Sequence, residues 1–192
     1  MFEWKKALIL CVVGAPLLVA GCAKQEEAPA PAPVVEAPAA PEPVTAIAML
    51  QPRGDLTLTG TVSFTQLGDT VTIGGHVEGV SPGKHGFHLH ELGDCSAEDF
   101  TSTGGHFNPT DAPHGGPADR VRHAGDFGNI EVGEDGVGHL ELTSDMITVA
   151  AGPITVVGRA VILHEGEDDL ESQPTGAAGG RIACGVVAPP GG

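Results

Sequence analysis

Short runs of alternating apolar and polar residues dominate the chain from about residue 56 onward. Leu56 to Phe64 alternates apolar residues with polar or small ones, and Thr70 to Val80 does so more loosely. Further runs of this kind, separated by Gly, Pro and Asp turn signals, are Gly86 to Glu91, Gly128 to Val132, Val137 to Thr143, Ile154 to Leu163 and Arg181 to Val187. No longer segment carries a helical stripe. About seven or eight short strands in one domain predict an all-β fold, arranged as an antiparallel sandwich or barrel.

Two long segments lack the strand period. Leu92 to Gly125 and Glu165 to Gly180 are polar, rich in glycine and poor in large apolar residues. Long irregular loops in a compact domain usually carry function. We therefore expect the chemistry of this protein to involve these two loops and the residues that flank them.

The composition fits short strands joined by many turns. Gly (29) and Pro (16) are abundant, whereas aromatic residues make up only 4% of the chain, which disfavours a helical bundle. With 9 Lys+Arg against 25 Asp+Glu, the net charge is -16. Because phosphates would be repelled, this charge argues against binding to nucleic acid and against electrostatic docking on anionic lipid. A role in solubility alone is the alternative.

The N-terminus has the pattern of an export signal. Lys5 and Lys6 precede an apolar stretch, Ala7 to Ala20, that is too short to span a bilayer comfortably. The stretch ends in Leu18-Val19-Ala20-Gly21-Cys22, which resembles the lipobox of bacterial lipoproteins, cleaved before the cysteine and acylated on it. We predict a signal peptide over 1–21 and a durable membrane anchor at Cys22. A plain signal peptide cleaved nearby is the alternative.

Residues 22–45 are predicted to form a tether that leads to the folded domain, 46–192. Ala23 to Thr45 consists largely of Ala, Pro, Glu and Val without an apolar period. Such a segment cannot bury a core, and its prolines favour an extended, polyproline-like chain. At about 3.1 Å per residue, the tether would hold the domain tens of ångströms from a membrane.

Export also determines the state of the cysteines. Cys11 would leave with the signal peptide and Cys22 would carry lipid, so Cys95 and Cys184 remain as an even pair. In an oxidising compartment such a pair predicts a disulfide. Two free buried thiols are the alternative.

Most of the histidines form a pattern with one aspartate. The pattern consists of His88, His90, His106, His114, His123, Asp126 and His164. Residues i and i+2 of a strand point to the same face, so His88 and His90 present two imidazoles side by side. Imidazole suits copper and zinc, and a loop with so few large apolar residues needs an organiser such as a metal. Scattered surface histidines are the alternative.

The spacing of these residues favours two metal sites. One group, completed by a further histidine, has the nitrogen and oxygen ligands of a closed zinc site: His114, His123 and Asp126. The other, completed in the same way, has only nitrogen ligands and suits copper: His88, His90 and His164. His106 lies between the two groups in sequence, and its spacing assigns it to neither.

The residues around these histidines resemble the copper,zinc superoxide dismutase family in six blocks that follow the family's order. The blocks are Gly86-Phe87-His88-Leu89-His90-Glu91, Gly105-His106-Phe107-Asn108-Pro109, His114-Gly115-Gly116-Pro117, His123-Ala124-Gly125-Asp126-Phe127-Gly128-Asn129, Val161-Ile162-Leu163-His164-Glu165 and Gly180-Arg181-Ile182-Ala183-Cys184-Gly185. The resemblance covers about Leu56 to Val187. It implies a Greek-key β-barrel in which the two long loops are the zinc-binding loop and the electrostatic loop.

The resemblance also implies a role for each matched residue. The implied copper ligands are His88, His90, His106 and His164, and the implied zinc ligands are His106, His114, His123 and Asp126. His106 would bridge the metals and carry a proton in catalysis, and Arg181 would guide the anionic substrate. Asp168 matches a carboxylate that links a copper ligand to a zinc ligand, with a solvated surface acid as the alternative, and Cys95 and Cys184 match the family disulfide. His85 matches a structural histidine, whereas His76 and His139 match no family position and are predicted to be surface residues.

The function implied by this resemblance is enzymatic. A copper,zinc superoxide dismutase converts superoxide to dioxygen and hydrogen peroxide, with copper as the redox ion and zinc as the support of the bridging histidine. With the lipid anchor, we expect such an enzyme to protect the bacterial cell envelope, on the periplasmic side of a membrane or at the cell surface, as a monomer or homodimer. The rival readings are a non-enzymatic protein that buffers copper or zinc and an interaction module that has lost its chemistry.

Overall fold

A computed structural model describes residues 42–191, which form a barrel of antiparallel strands. The strands are β1 (Val44–Pro52), β2 (Thr59–Leu67), β3 (Thr70–Glu78), β4 (Gly83–His90), β5 (Asp126–Val132), β6 (Val137–Ser144), β7 (Ala160–His164) and β8 (Arg181–Ala188). A single-turn 3-10 helix, Thr101–Thr103, lies in the segment between β4 and β5. The predicted all-β fold is confirmed. Among these described residues, no helix is long and apolar enough to cross a membrane.

The strand order closes the sheet on itself. Neighbouring strands follow the order β1-β2-β3-β6-β5-β4-β7-β8, and β1 pairs with β8. The chain leaves β3, forms β4 and β5 on the far side of β6, and returns to pair β6 with β3, as a Greek key does. The irregular segments 91–125 and 165–180 follow β4 and β7, which are adjacent antiparallel strands, so the two long loops begin at opposite ends of this strand pair and fold back over its outer face.

The barrel interior is filled by the apolar positions of the predicted alternation. On β2, for example, Val62 and Phe64 are fully buried, while Ser63 between them is only partly so. The buried cluster also includes aromatic and aliphatic side chains from the other strands, among them Ile73, Phe87, Leu89, Phe127 and Ile130. Each fully buried side chain of this size contributes about 1.5–3 kcal/mol. The core therefore gives the outer face of β4 a rigid support.

The structure differs from the sequence prediction at two strands. β1 begins at Val44, two residues before the predicted start of the domain, and the alternation did not reveal it. The predicted strand from Ile154 to Leu163 was too long, because β7 starts only at Ala160. Gly158 has φ 80, which interrupts extended backbone ahead of β7. The predicted signal peptide, the anchor residue Cys22 and all but the last few residues of the predicted tether lie outside the described residues.

Candidate metal centre

Two adjacent strands carry the first of the predicted ligands. On β4, Phe87 and Leu89 belong to the barrel core, so the alternating residues His88 and His90 lie on the outer face. This outer face is buried all the same, because segments of both long loops bond to these histidines. His164 ends β7, the neighbour of β4 in the sheet.

Four buried histidines form the first group. Their side-chain nitrogens lie within 4.8 Å of one another: His88, His90, His106 and His164. In each ring one nitrogen is buried without a hydrogen-bond partner, Nδ1 in His88 and Nε2 in the other three. Buried polar atoms are costly to leave unpaired. Convergent, unpaired imidazole nitrogens fit a metal that favours nitrogen ligands, such as copper.

The opposite nitrogen of each of these rings faces an acceptor. His90 Nδ1 lies 3.0 Å from the carbonyl oxygen of Gly104. His164 Nδ1 lies 3.1 Å from the carbonyl oxygen of Gly179. Because a carbonyl oxygen only accepts, these nitrogens carry the ring proton, and the opposite nitrogens present lone pairs. Such contacts fix the tautomer and orientation that a metal ligand needs.

The second group combines three histidines with one aspartate, and all of them are buried: His106, His114, His123 and Asp126. The Nδ1 atoms of the three rings lie 2.8, 3.0 and 3.1 Å from Asp126 Oδ1, in that order. Backbone N–H groups of Gly115 and His123 donate to Asp126 Oδ2 and hold the carboxylate in place. Ligands around a tetrahedral zinc, with bonds of about 2.0–2.1 Å, stand about 3.3 Å apart. The group therefore fits zinc in ligand type and in spacing.

His106 contributes one nitrogen to each group. Its Nε2 is an unpaired nitrogen of the first group, and its Nδ1 lies 2.8 Å from Asp126 Oδ1 in the second. An isolated β-bridge between His90 and His106 places the ring at this position. The structure thus puts His106 between the groups in space, where sequence spacing alone assigned it to neither.

Asp168 lies between the two groups and is almost fully buried. Its Oδ2 lies 2.7 Å from His88 Nε2, and its Oδ1 lies 3.0 Å from His114 Nε2. The Leu170 backbone N–H also donates to Oδ1, at 2.7 Å. Asp168 is therefore a buried link between a histidine of each group, unlike its exposed neighbour Asp169.

Burial and ion pairing set the protonation of the rings. Burial lowers the pKa of His88 to about 3 and that of His164 to about 4, which keeps both rings in the neutral form that binds metal. His114 behaves differently. Burial opposes its protonation, but the carboxylates of Asp126 and Asp168, each 3.0 Å from one of its nitrogens, outweigh burial and raise the pKa of His114 to about 9. In spite of their burial, the pKa of both carboxyl groups stays well below the usual range, chiefly through the hydrogen bond with His106 at Asp126 and those with His114 and His88 at Asp168.

Arg181, the first residue of β8, is tied to the loop that follows β4. Its guanidinium donates to the carbonyl oxygen of Phe100 and to Oγ1 of Thr103, both at 2.6 Å. It also donates to the carbonyl oxygen of Gly104 at 2.8 Å. The same oxygen is the acceptor for His90 Nδ1, so the arginine lies directly beside the first group. A half-buried cation at this position can attract an anion toward these histidines.

The predicted disulfide is confirmed. Cys95, in the loop after β4, is bonded to Cys184 on β8, with their Cα atoms 5.9 Å apart. Phe100 and Ile162 are buried in the same small cluster as the bridge. The bond therefore ties the loop that contacts Arg181 to the strand that carries it.

The remaining histidines belong to neither group. His85 is buried, with Nδ1 2.9 Å from the carbonyl oxygen of His164 and Nε2 2.8 Å from that of Ser81, as expected for a packed, hydrogen-bonding residue. His76 and His139 lie on the outer face of β3 and β6. Both are accessible to solvent, as predicted.

Sequence reasoning missed three residues that position the ligands. The Asn129 side chain bonds to the backbone of Asp168 twice, both times at 2.8 Å. Gln173 does the same for His114, at 2.8 and 2.9 Å. Gly176 has φ 67, and a Cβ there would collide with the Asp168 carboxylate. Asn129 ends one of the matched blocks, but neither a polar residue in a strand nor Gln173 and Gly176 in a polar loop give a signal of these contacts.

Two comparisons with known proteins bear on this site. A family model described as copper/zinc superoxide dismutase matches residues 58–187. A solved structure described as "Crystal Structure Analysis of the clock protein EA4" is 42% identical, with a TM-score of 0.69. The match covers 76% of this chain and 94% of that one.

Proposed function

The chain belongs to the copper/zinc superoxide dismutase family, and we propose that it is an active enzyme that converts superoxide to dioxygen and hydrogen peroxide. Family membership supports this activity. The observation that carries the proposal is the convergence of four buried, unpaired imidazole nitrogens next to a closed group of three histidines and one aspartate. A single ring, His106, contributes to both groups.

We assign copper to the first group and zinc to the second. The copper ligands are His88, His90, His106 and His164, and the zinc ligands are His106, His114, His123 and Asp126. When bound, copper supplies the one-electron redox chemistry that dismutation needs, while zinc, which has no redox chemistry, supplies a fixed positive charge. The protein orients four of these rings through an acceptor on the nitrogen that does not face the metal: His88, His90, His114 and His164.

His106 is suited to handle a proton of the reaction. The overall reaction consumes two superoxide anions and two protons and yields one dioxygen and one hydrogen peroxide. Nε2 of His106 can hold a proton on the side of the first group and release it there. Its Nδ1 stays engaged with the second group beside Asp126, so the ring keeps its position while the proton moves.

Arg181 is suited to guide the substrate. The chain has a net charge of -16, which repels an anion at long range, so attraction must be local. Three oxygen acceptors hold the guanidinium beside the first group, and local positive charge of this kind raises on-rates by about 10–10³-fold. Arg181 therefore brings superoxide to the histidines that hold copper.

The direct test is the decay of superoxide measured by pulse radiolysis. Protein loaded with one copper and one zinc per chain is compared with protein loaded with zinc alone, which keeps the second group filled. We expect rapid catalytic decay only with the copper-loaded protein. Decay no faster than with the zinc-only protein, in a sample that has bound both metals, would instead support a protein that buffers metals.

We further propose that the enzyme is anchored by lipid at Cys22 and protects the cell envelope from superoxide. The support is the sequence Leu18-Val19-Ala20-Gly21-Cys22 after an apolar stretch, followed by a segment that cannot bury a core. Metabolic labelling with a radioactive fatty acid in a bacterial host should mark the wild-type chain and not Cys22→Ser. An unlabelled wild-type chain recovered in the soluble envelope fraction would contradict the anchor.

A further inference from the structure

Two histidines outside the described centre form a pair on the outer face of the barrel. His76 on β3 and His139 on β6 are directly opposite each other in the strand register. Their Nδ1 atoms are 3.3 Å apart, whereas their ring centres are 4.6 Å apart, so the rings converge at their Nδ1 edges. We propose that this pair is a third metal site, which takes a divalent ion of the zinc or copper class from solvent.

The tautomer of His76 favours such a site. His76 Nε2 lies 3.0 Å from Glu78 Oε1, and because a carboxylate only accepts, Nε2 carries the ring proton. Nδ1 of the neutral His76 ring then carries no proton, and its lone pair faces Nδ1 of His139. Histidines that bind metals are commonly oriented in this way by a carboxylate on the opposite nitrogen.

The distance between the two nitrogens matches chelation. Two imidazole ligands with metal bonds of about 2.0–2.1 Å stand about 3.3 Å apart in a tetrahedral site. Without a metal, one Nδ1–H of the pair can donate to the other Nδ1. When an ion binds, that proton moves to Nε2 of His139, and both Nδ1 lone pairs coordinate the ion. Imidazole suits zinc and copper, which sets the class of ion.

The surroundings favour a cation and leave room for one. Glu131 lies directly opposite His139 on β5, and Glu141 is two residues further along β6 on the same face. The pair borders a surface depression of about 410 Å³ whose lining includes Gly74, which lies on the same face of β3 as His76 and has no side chain to fill it. Water can complete the coordination there, so we expect weaker binding than in the two buried groups, which supply four protein ligands each.

The test is calorimetric titration with Zn²⁺ of full-length protein that already holds one copper and one zinc. We expect one further equivalent to bind to wild-type protein and to be lost in His76→Gln and in His139→Gln. Thr143→Ala, which shortens an exposed side chain on the same strand as His139, is the matched control and should keep it. Glu78→Gln should weaken binding by about 10–100-fold, because a neutral amide oxygen replaces the charged acceptor that orients His76.

Histidine ring NMR locates the ion, since Zn²⁺ should shift the Cε1–H signals of His76 and His139 selectively. Circular dichroism identifies any variant that has not folded, and Glu78→Gln keeps both rings in case a histidine variant fails this check. No further equivalent in wild-type protein would overturn the proposal. Binding that persists in both folded histidine variants would overturn it too.

Discussion

Replacing Asp168 with asparagine tests whether one buried carboxylate orients ligands in both groups. The carboxylate accepts from His88 Nε2 at 2.7 Å and from His114 Nε2 at 3.0 Å. Both of these nitrogens must be donors if the opposite nitrogens bind metal. An asparagine of the same shape offers one acceptor and one donor, so one of the two rings loses its partner whichever way the amide turns.

The effect should fall mainly on the second group. His88 is held in β4 by the sheet on both sides, whereas His114 lies in an irregular loop and depends on side chains such as Asp168 for its orientation. A hydrogen bond to a charged group contributes about 1.5–3 kcal/mol, and about 1.4 kcal/mol corresponds to a tenfold change in affinity. We therefore expect Asp168→Asn to weaken zinc binding by about 10–100-fold, the range found when groups that orient metal ligands are changed.

The assay is competition for zinc against a chromophoric chelator, with copper measured in parallel. Glu171→Gln is the matched control, because it also removes one negative charge from the same loop, but from an exposed side chain that contacts neither group. Zinc affinity of Asp168→Asn equal to that of the control would refute the orienting role. A loss confined to copper would show that the strand does not hold His88 as described.

Three further predictions follow from other parts of the site. Arg181→Ile should retain both metals and lower superoxide decay several-fold at low ionic strength, and unchanged decay there would refute the guiding role. The double variant Cys95→Ala/Cys184→Ala opens a loop with a sequence separation of 89 and should lower the free energy of unfolding by about 4–5 kcal/mol, measured by denaturant titration. In metal-free protein, burial lowers the pKa of His88 and His164 below the 6.5 of the unfolded chain, so unfolding takes up protons below that pH. The free energy of unfolding should fall by up to about 1.4 kcal/mol per pH unit for each ring as the pH drops from 6.5 toward 4. Because the raised pKa of His114 stabilises the fold below pH 6.5 and this effect is lost as the pH rises toward 9, the profile should peak near pH 6.5, and a flat profile would contradict this.

The centre could be predicted from sequence where its residues are close along the chain or keep a strand period. His88 and His90 share a face because they are two apart in a strand, and the two loops were recognisable by their lack of period. The position of His106 could not be derived from spacing, because it depends on where a long loop returns to β4. Asp168 was similarly hidden in a run of three acids, only one of which the fold buries between two histidines.

β1 escaped prediction for a different physical reason. Its buried positions are Ala46, Ala48 and Leu50, but the exposed positions between them include Ile47 and Met49. Apolar residues on both faces mask the two-residue period, and the preceding proline-rich segment suggested that the tether continued to Thr45. Only the pairing of this strand with β2 and β8 gives it a place in the sheet.

β1 protects the sheet from pairing with strands of other molecules. Because it joins the last strand to the second, neither of these two strands offers a bare row of backbone donors and acceptors to another molecule on this side. If it detached, two long neighbours would be uncovered at once, each able to recruit a strand from a second chain. β1 therefore protects the edges of β2 and β8. We expect its detachment to be the step that allows strands of separate molecules to pair and aggregate.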